Sequence, residues 1–200
     1  MRVLCGVVAC IALAAAAACG DSEADAIRKT TQATYDPATG RLTRLTADLD
    51  KNGVVDTWTY MDGTKVLRAE SDLDEDGTID RWEYNFPDGR VERVGVSLRK
   101  TGKPDMWVYP DPTSPLEPIR KEFVGLKHDT RIARTEVYEA GRLVRVEEDV
   151  DEDGRIDRWA KNDGQTVLSA EFDRNGDGRP DERLTYDPTG KVVRREPIHR

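Results

Sequence analysis

The chain is poor in the residues from which a deep core is built. The AVILMFWYC set makes up 37% of 200 residues and aromatics 6%, against 35% charged residues. Much of that apolar share lies in one run, 3–18, so the remainder is leaner still. A thick α/β core of the kind that houses most enzymes is excluded on composition. Basic charge is also short: 31 Lys and Arg face 39 Asp and Glu, a net charge of −8. A nucleic-acid binder needs a basic face to displace counterions from phosphates, and none is offered here. Histidine occurs twice, as His128 and His199, and both read as solvated side chains. There is no nucleophile motif and no phosphate loop, and the carboxylate spacing described below suits calcium better than acid–base work. Catalysis is therefore not expected.

Cysteine is confined to the start of the chain: Cys5, Cys10 and Cys19. Arg2 precedes the apolar run 3–18, after which Cys19, Gly20, Asp21, Ser22 and Glu23 switch abruptly to polar chain. A basic start, an apolar stretch and small residues before a cut describe a secretory signal peptide over 1–18. The run is marginal for a membrane span, which takes about 20 apolar residues; an uncleaved N-terminal anchor is the alternative. Ala16, Ala17, Ala18 and Cys19 resemble the lipobox of bacterial lipoproteins, with Ala16 where that family usually carries Leu. The Val7-Val8-Ala9-Cys10 stretch also fits, but cutting there would leave an apolar tail on the mature chain. The resemblance implies acylation of Cys19, a tether over 19–33 and a lipid-anchored place in the bacterial envelope. Gly20, in place of an acidic retention signal, leans toward the outer membrane. Several acyl chains on one residue anchor firmly where a single one does not. Without residues 1–18 the body carries about −9 and no internal disulfide is open to it.

From there on the chain repeats itself. Asp48–Tyr60 aligns with Asp72–Tyr84, with Asp149–Trp159 and with a fourth copy that opens at Asp173. Two degenerate copies, Ser97–Tyr109 and Leu126–Tyr138, lie between them. The copies start 24, 25, 29, 23 and 24 residues apart, and Trp58, Trp82, Trp107 and Trp159 occupy one slot of the unit. Each unit also holds a short Gly-containing connection between two β-rich runs, such as Tyr60-Met-Asp-Gly63 or Tyr138-Glu-Ala-Gly141, the pattern of a hairpin. Trp58 and Tyr60 stand two apart and share one strand face, as do Trp82 and Tyr84.

The expected fold is all-β: an antiparallel meander of about six hairpin repeats of ~24 residues over 34–200, joined by acidic loops. One face should be aromatic-rich, and either curled on itself or covered by the irregular middle. Pro110, Pro112, Pro115 and Pro118 remove ladder donors, so the sheet should be interrupted, bent or looped out near 109–124, where two halves meet. The tyrosine–turn–glycine pattern (Tyr35…Gly40-Arg-Leu, Tyr138…Gly141-Arg-Leu) resembles the YD, or RHS, repeat family, which implies β-hairpins.

The acidic loops carry the chemistry. Asp-x-Asp-x-Asn/Asp-Gly sets oxygen donors at alternate positions and a glycine where the chain must turn, the arrangement by which hard Ca²⁺ gathers six to eight oxygens. It resembles the first half of an EF-hand loop and the calcium loops of dockerins and thrombospondin type 3 repeats. On that resemblance the ligands are Asp48, Asp50, Asn52, Val54 (through its carbonyl) and Asp56 in the first loop. They are Asp72, Asp74, Asp76, Thr78 and Asp80 in the second, with Glu83 at the twelfth position the only possible bidentate closure. Asp149, Asp151, Asp153, Arg155 and Asp157 fill the third, and Asp173, Asn175, Asp177, Arg179 and Asp181 the fourth. Elsewhere the twelfth residue is Thr59, Ala160 or Leu184, and no helices flank the loops, so static structural ions are expected rather than a sensor switch.

Asx turns without metal are the plainer alternative. Against it, a cluster such as Asp72, Asp74, Glu75, Asp76 and Asp80 repels itself without a cation. The degenerate copies carry Arg99, Lys100, Lys103, Lys127 and Arg131 where carboxylates are lost. About four Ca²⁺ would bring the body close to neutral. The expected role is structural or interactive; a carbohydrate- or protein-binding module that uses the aromatic face is the runner-up.

Overall fold

The computed structural model describes residues 27–198; the apolar run 1–18, Cys19, the first part of the tether and His199 lie outside them. After a single helical turn over 27–30, fourteen strands follow in one sheet. They are β1 (Gln32–Tyr35), β2 (Leu42–Ala47), β3 (Thr57–Asp62), β4 (Lys65–Ser71), β5 (Arg81–Asn85), β6 (Val91–Val96) and β7 (Met106–Pro110). The series continues with β8 (Pro118–Val124), β9 (Ile132–Glu139), β10 (Arg142–Glu148), β11 (Arg158–Asp163), β12 (Thr166–Phe172), β13 (Glu182–Tyr186) and β14 (Val192–Pro197). Their order in the sheet is their order in the sequence, and the pairs are antiparallel. The meander is thus as the repeat implies.

Two kinds of connection alternate. Short turns close β1–β2, β3–β4 and every second pair after them except β7–β8, which the longer loop 111–117 closes, and each of these connections brings a register shift beside it, as at Tyr60/Met61 and Lys161/Asn162. Such bulges sharpen the local twist. The long loops 48–56, 72–80, 97–105, 125–131, 149–157 and 173–181 close the other pairs, so all six lie along one margin of the sheet. Neighbouring long loops are two strands, hence roughly 10 Å, apart.

Register places Trp58, Glu70, Trp82, Gly95, Trp107 and Glu122 in one row, with Tyr60, Arg68, Tyr84, Arg93, Tyr109 and Arg120 in the row beside it. Guanidinium groups cover the rings: Arg68 lies 4.2 Å from the Tyr60 centroid, Arg93 4.8 and 4.6 Å from Tyr84 and Trp107, and Arg120 3.9 Å from Tyr109. The Tyr60 and Tyr109 hydroxyls donate to Glu70 and Glu122, both at 2.9 Å. On the face opposite Trp159, Leu143, Val146, Ala160 and Ala170 form the apolar cluster, flanked by Tyr138, Val167, Phe172 and Tyr186.

The expectation of a curled or covered aromatic face is corrected. Each strand neighbours only those before and after it, and β1 and β14 remain open edges. No large side chain is completely buried among the described residues. Arginine and glutamate stems on the same face shield the rings, so a second layer is not needed to dry them. Trp82 is buried, while Trp58, Trp107 and Trp159 are half-buried. At the proline-rich middle the ladder continues, since Pro110 ends β7 opposite Pro118, which opens β8, and 111–117 loops out between them. The two halves are joined in one sheet.

Candidate metal centres

Every acidic loop is held by its first and ninth carboxylates. Asp48 accepts the amides of Lys51 (2.6 Å), Asn52 (3.1 Å) and Gly53 (2.8 Å), and Asp56 accepts those of Leu49 (2.8 Å) and Asp50 (3.4 Å). Asp72 accepts from Gly77 and Asp80 from Leu73, at 2.9 and 2.8 Å. Asp149 accepts from Asp153 (3.1 Å) and Gly154 (2.8 Å), and Asp157 from Val150 (2.6 Å) and Asp151 (3.2 Å). Asp173 accepts from Gly176, Asp177 and Gly178, and Asp181 from Arg174 at 3.1 Å. The sixth-position glycine is required because its φ is positive, +100° at Gly53 and +99° at Gly154, and its amide must face the first carboxylate.

These bonds fold the carboxylates onto one another. Asp48, Asp50 and Asp56 each offer an oxygen within 4.8 Å of the other two, and so do Asp72, Asp74 and Asp80, and Asp149, Asp151 and Asp157. Three Asp clusters that could hold a metal ion therefore stand where the motif places them. In the fourth loop Asn175 replaces the third carboxylate, and its side-chain oxygen accepts the Asp177 amide (2.9 Å). The fifth residues play a different part. Asn52, Asp76, Asp153 and Asp177 accept the amides of Val54, Thr78, Arg155 and Arg179 at 2.8–2.9 Å, and Asp76 and Asp153 stand outside the three-carboxylate groups. Glu83 is buried on β5, pairs with Arg81 at 2.8 Å and stands outside the three-carboxylate groups.

Burial and charge in these loops oppose each other. Asp48, Asp56, Asp72, Asp149 and Asp173 are all buried. Burial pushes the Asp48 carboxyl up, but the Gly53, Lys51 and Asn52 amides outweigh it and hold the group below the usual carboxylate range. Asp173 behaves alike, with the Gly178, Gly176 and Asp177 amides prevailing over burial. Asp56 Oδ1 and Asp72 Oδ1 are buried without any hydrogen-bond partner. An orphaned carboxylate oxygen is among the costliest groups to bury, so each marks where a cation fits.

Loop 97–105 is the internal comparison. It keeps the positive φ at its fourth and sixth residues, Lys100 (+53°) and Gly102 (+70°). Ser97 replaces the first carboxylate and accepts the Thr101 amide at 3.0 Å. Both oxygens of the buried ninth residue, Asp105, are satisfied: Oδ1 by the Leu98 amide, and Oδ2 by the Arg99 amide (2.8 Å) and Nε (3.0 Å). The third residue has turned from a carboxylate into the cation that neutralises the ninth.

The loops also touch their neighbours, which the motif alone did not show. Backbone bonds run from Asp72 N to Asp56 O and from Asp173 N to Asp157 O, both 2.9 Å. Glu75, assigned from sequence to the repulsion within its own loop, instead accepts the Asn52 side-chain amide of the loop before. Lys100 pairs with Asp74, and Lys103 with Asp129 at 2.7 Å. Glu152 accepts the Leu126 and Lys127 amides (2.8 and 2.6 Å) of loop 125–131. The available signal was that the fourth position is charged in every full copy except the last, where it is Gly176.

Fold and site together define an open, single-layer sheet of β-hairpin repeats with a row of metal-capable acidic loops. No family model matches the chain, and no curated protein matches it. Among solved structures it is similar to a chain in the crystal structure of accessory secretory protein 1, 2 and 3 in Streptococcus pneumoniae, at 14% identity and TM-score 0.24. That match covers 66% of this chain and 19% of the other. A likeness so low carries no argument.

Proposed function

We propose that this chain is an exported, lipid-anchored protein of the bacterial envelope whose hairpin repeats are stapled by about four Ca²⁺ ions, in a structural or interaction role. The observation that carries the calcium reading is the contrast between loops. The ninth carboxylate of loop 97–105 has both oxygens satisfied and an arginine beside it, whereas Asp56 in the same position leaves a buried oxygen without a partner. Calcium suits an all-oxygen set of flexible geometry; Mg²⁺ keeps its waters and demands a stricter octahedron. Asp48, Asp50 and Asp56 would hold the first ion, Asp72, Asp74 and Asp80 the second, and Asp149, Asp151 and Asp157 the third. Asp173, Asp177 and Asp181 with Asn175 would hold a fourth. Export and the anchor rest on the run 3–18 and on Cys19.

The mechanism is linkage. An ion that binds only the folded loop stabilises that state by RT ln(1 + [L]/Kd). At calcium ten times above Kd this is about 1.4 kcal/mol per ion. Four such ions supply about 6 kcal/mol, comparable with the whole stability of an ordinary domain. Melting in millimolar calcium and in chelator tests this: a rise of about 10–20 °C is expected, and coincident melts would refute it.

A further inference from the structure

In three of the six long loops the fourth residue belongs, by its contacts, to the loop before it. It sits at positive φ in loops 72–80, 97–105 and 149–157 (Glu75 +56°, Lys100 +53°, Glu152 +58°). In all three its side chain reaches back across the sheet margin: Glu75 to Asn52, Lys100 to Asp74, and Glu152 to the amides of Leu126 and Lys127. The three acidic clusters therefore receive different visitors. The cluster of Asp48, Asp50 and Asp56 meets a carboxylate. That of Asp149, Asp151 and Asp157 meets Gly176, which has no side chain to send. Only in the cluster of Asp72, Asp74 and Asp80 does an ammonium group pair with one of the three carboxylates, and the field of Lys100 also reaches Asp76 and Asp80; in loop 149–157 the Lys127 ammonium donates to the Asp151 main-chain carbonyl instead.

We propose that Lys100 is an affinity-determining residue for loop 72–80: a tethered cation that occupies Asp74 and competes there with the metal, making this the weakest of the three carboxylate clusters in the row. This rests on the reading of the loops as calcium sites. The sites share a fold and differ at their fifth residue (Asn52, Asp76 or Asp153) and in this neighbour, so the fourth residue of the following loop contributes to the order of filling. Lys100 is largely exposed and Asp74 partly so. An exposed ion pair is worth little, and its loss corresponds to about a two- to fivefold change in a binding constant.

The test is a calcium titration of the isotope-labelled, chelator-stripped full chain, followed by NMR at the amides of Gly53, Gly77 and Gly154, which report the three clusters separately. The Gly77 amide should reach half-saturation at about two- to fivefold higher calcium than those of Gly53 and Gly154, and the Lys100 side-chain resonance should move with the same midpoint. In Lys100→Met the Gly77 midpoint should fall to that of its neighbours. In Lys65→Met, which removes the same charge at the far end of the strands, it should not. If the glycine amides titrate but Lys100→Met leaves the Gly77 midpoint in place, the proposal is overturned and the calcium reading stands. If no amide moves at millimolar calcium, both fall.

Discussion

At the residue scale, the unpartnered oxygen of Asp56 makes the sharpest demand on the account. Asp56→Asn keeps an acceptor for the Leu49 amide but removes the charge. It should lose one ion from the titration and lower the melting temperature in calcium by about 3–6 °C, the share of one ion. In chelator the same variant should melt no lower than the parent, because it relieves repulsion between Asp48, Asp50 and Asp56. Asp105→Asn is the opposite case. It weakens the bonds from Leu98 and Arg99 and should cost about 1–3 kcal/mol equally with and without calcium. Acid separates the groups further. Asp48 and Asp173 are held below the ordinary carboxylate value in the folded state. Their contribution is complete above the unfolded value near about pH 4, and it is lost as pH falls through the lower folded value. Acid melts in chelator should thus show stability falling below about pH 4.

At the element scale, the hairpin is the unit, and most of it was legible. The spacing of Trp58, Trp82, Trp107 and Trp159 fixed the repeat, and the glycine connections fixed the turns. The alternation at Trp58/Tyr60 and Trp82/Tyr84 gave the strand faces, because side-chain direction in a strand follows local sequence. What covers a face is not local, and for that reason the curl or cover expected for the aromatic side was wrong. The Arg68–Tyr60 and Arg120–Tyr109 stacks depend on cross-strand register, which one sequence motif does not reveal. The reach of Glu75, Lys100 and Glu152 into preceding loops was hidden likewise. These stacks give a prediction at their own scale. Arg93 lies over both Tyr84 and Trp107, so Arg93→Ala should destabilise the sheet by about 1–2 kcal/mol while calcium stoichiometry stays unchanged. Equal loss in calcium and in chelator would be seen in paired melts.

At the scale of the whole molecule, fourteen strands lie in one layer with no completely buried large side chain. Hydrophobic burial is weak in such a sheet, and cohesion comes from neighbour-to-neighbour terms: ladders, arginine–aromatic rows and the loops along one margin. Backbone bonds such as Asp72 N to Asp56 O tie one loop to the next, so an ion in one loop steadies the start of the following hairpin. Loops 97–105 and 125–131, which lack the three-carboxylate groups, interrupt the row and carry Arg99, Lys103 and Arg131 instead. Hydrogen exchange should therefore slow in calcium most strongly for the strands beside the four acidic loops, and least for β7 and β8.

On the proposed function, calcium completes the partly buried, clustered carboxylates, which are otherwise bare turns. Calorimetric titration of the chelator-stripped protein with Ca²⁺ tests it most directly. Three to four ions should bind, with affinities of roughly 10⁻⁴–10⁻³ M. No heat of binding at millimolar calcium would contradict it, and would reduce the acidic loops to turns.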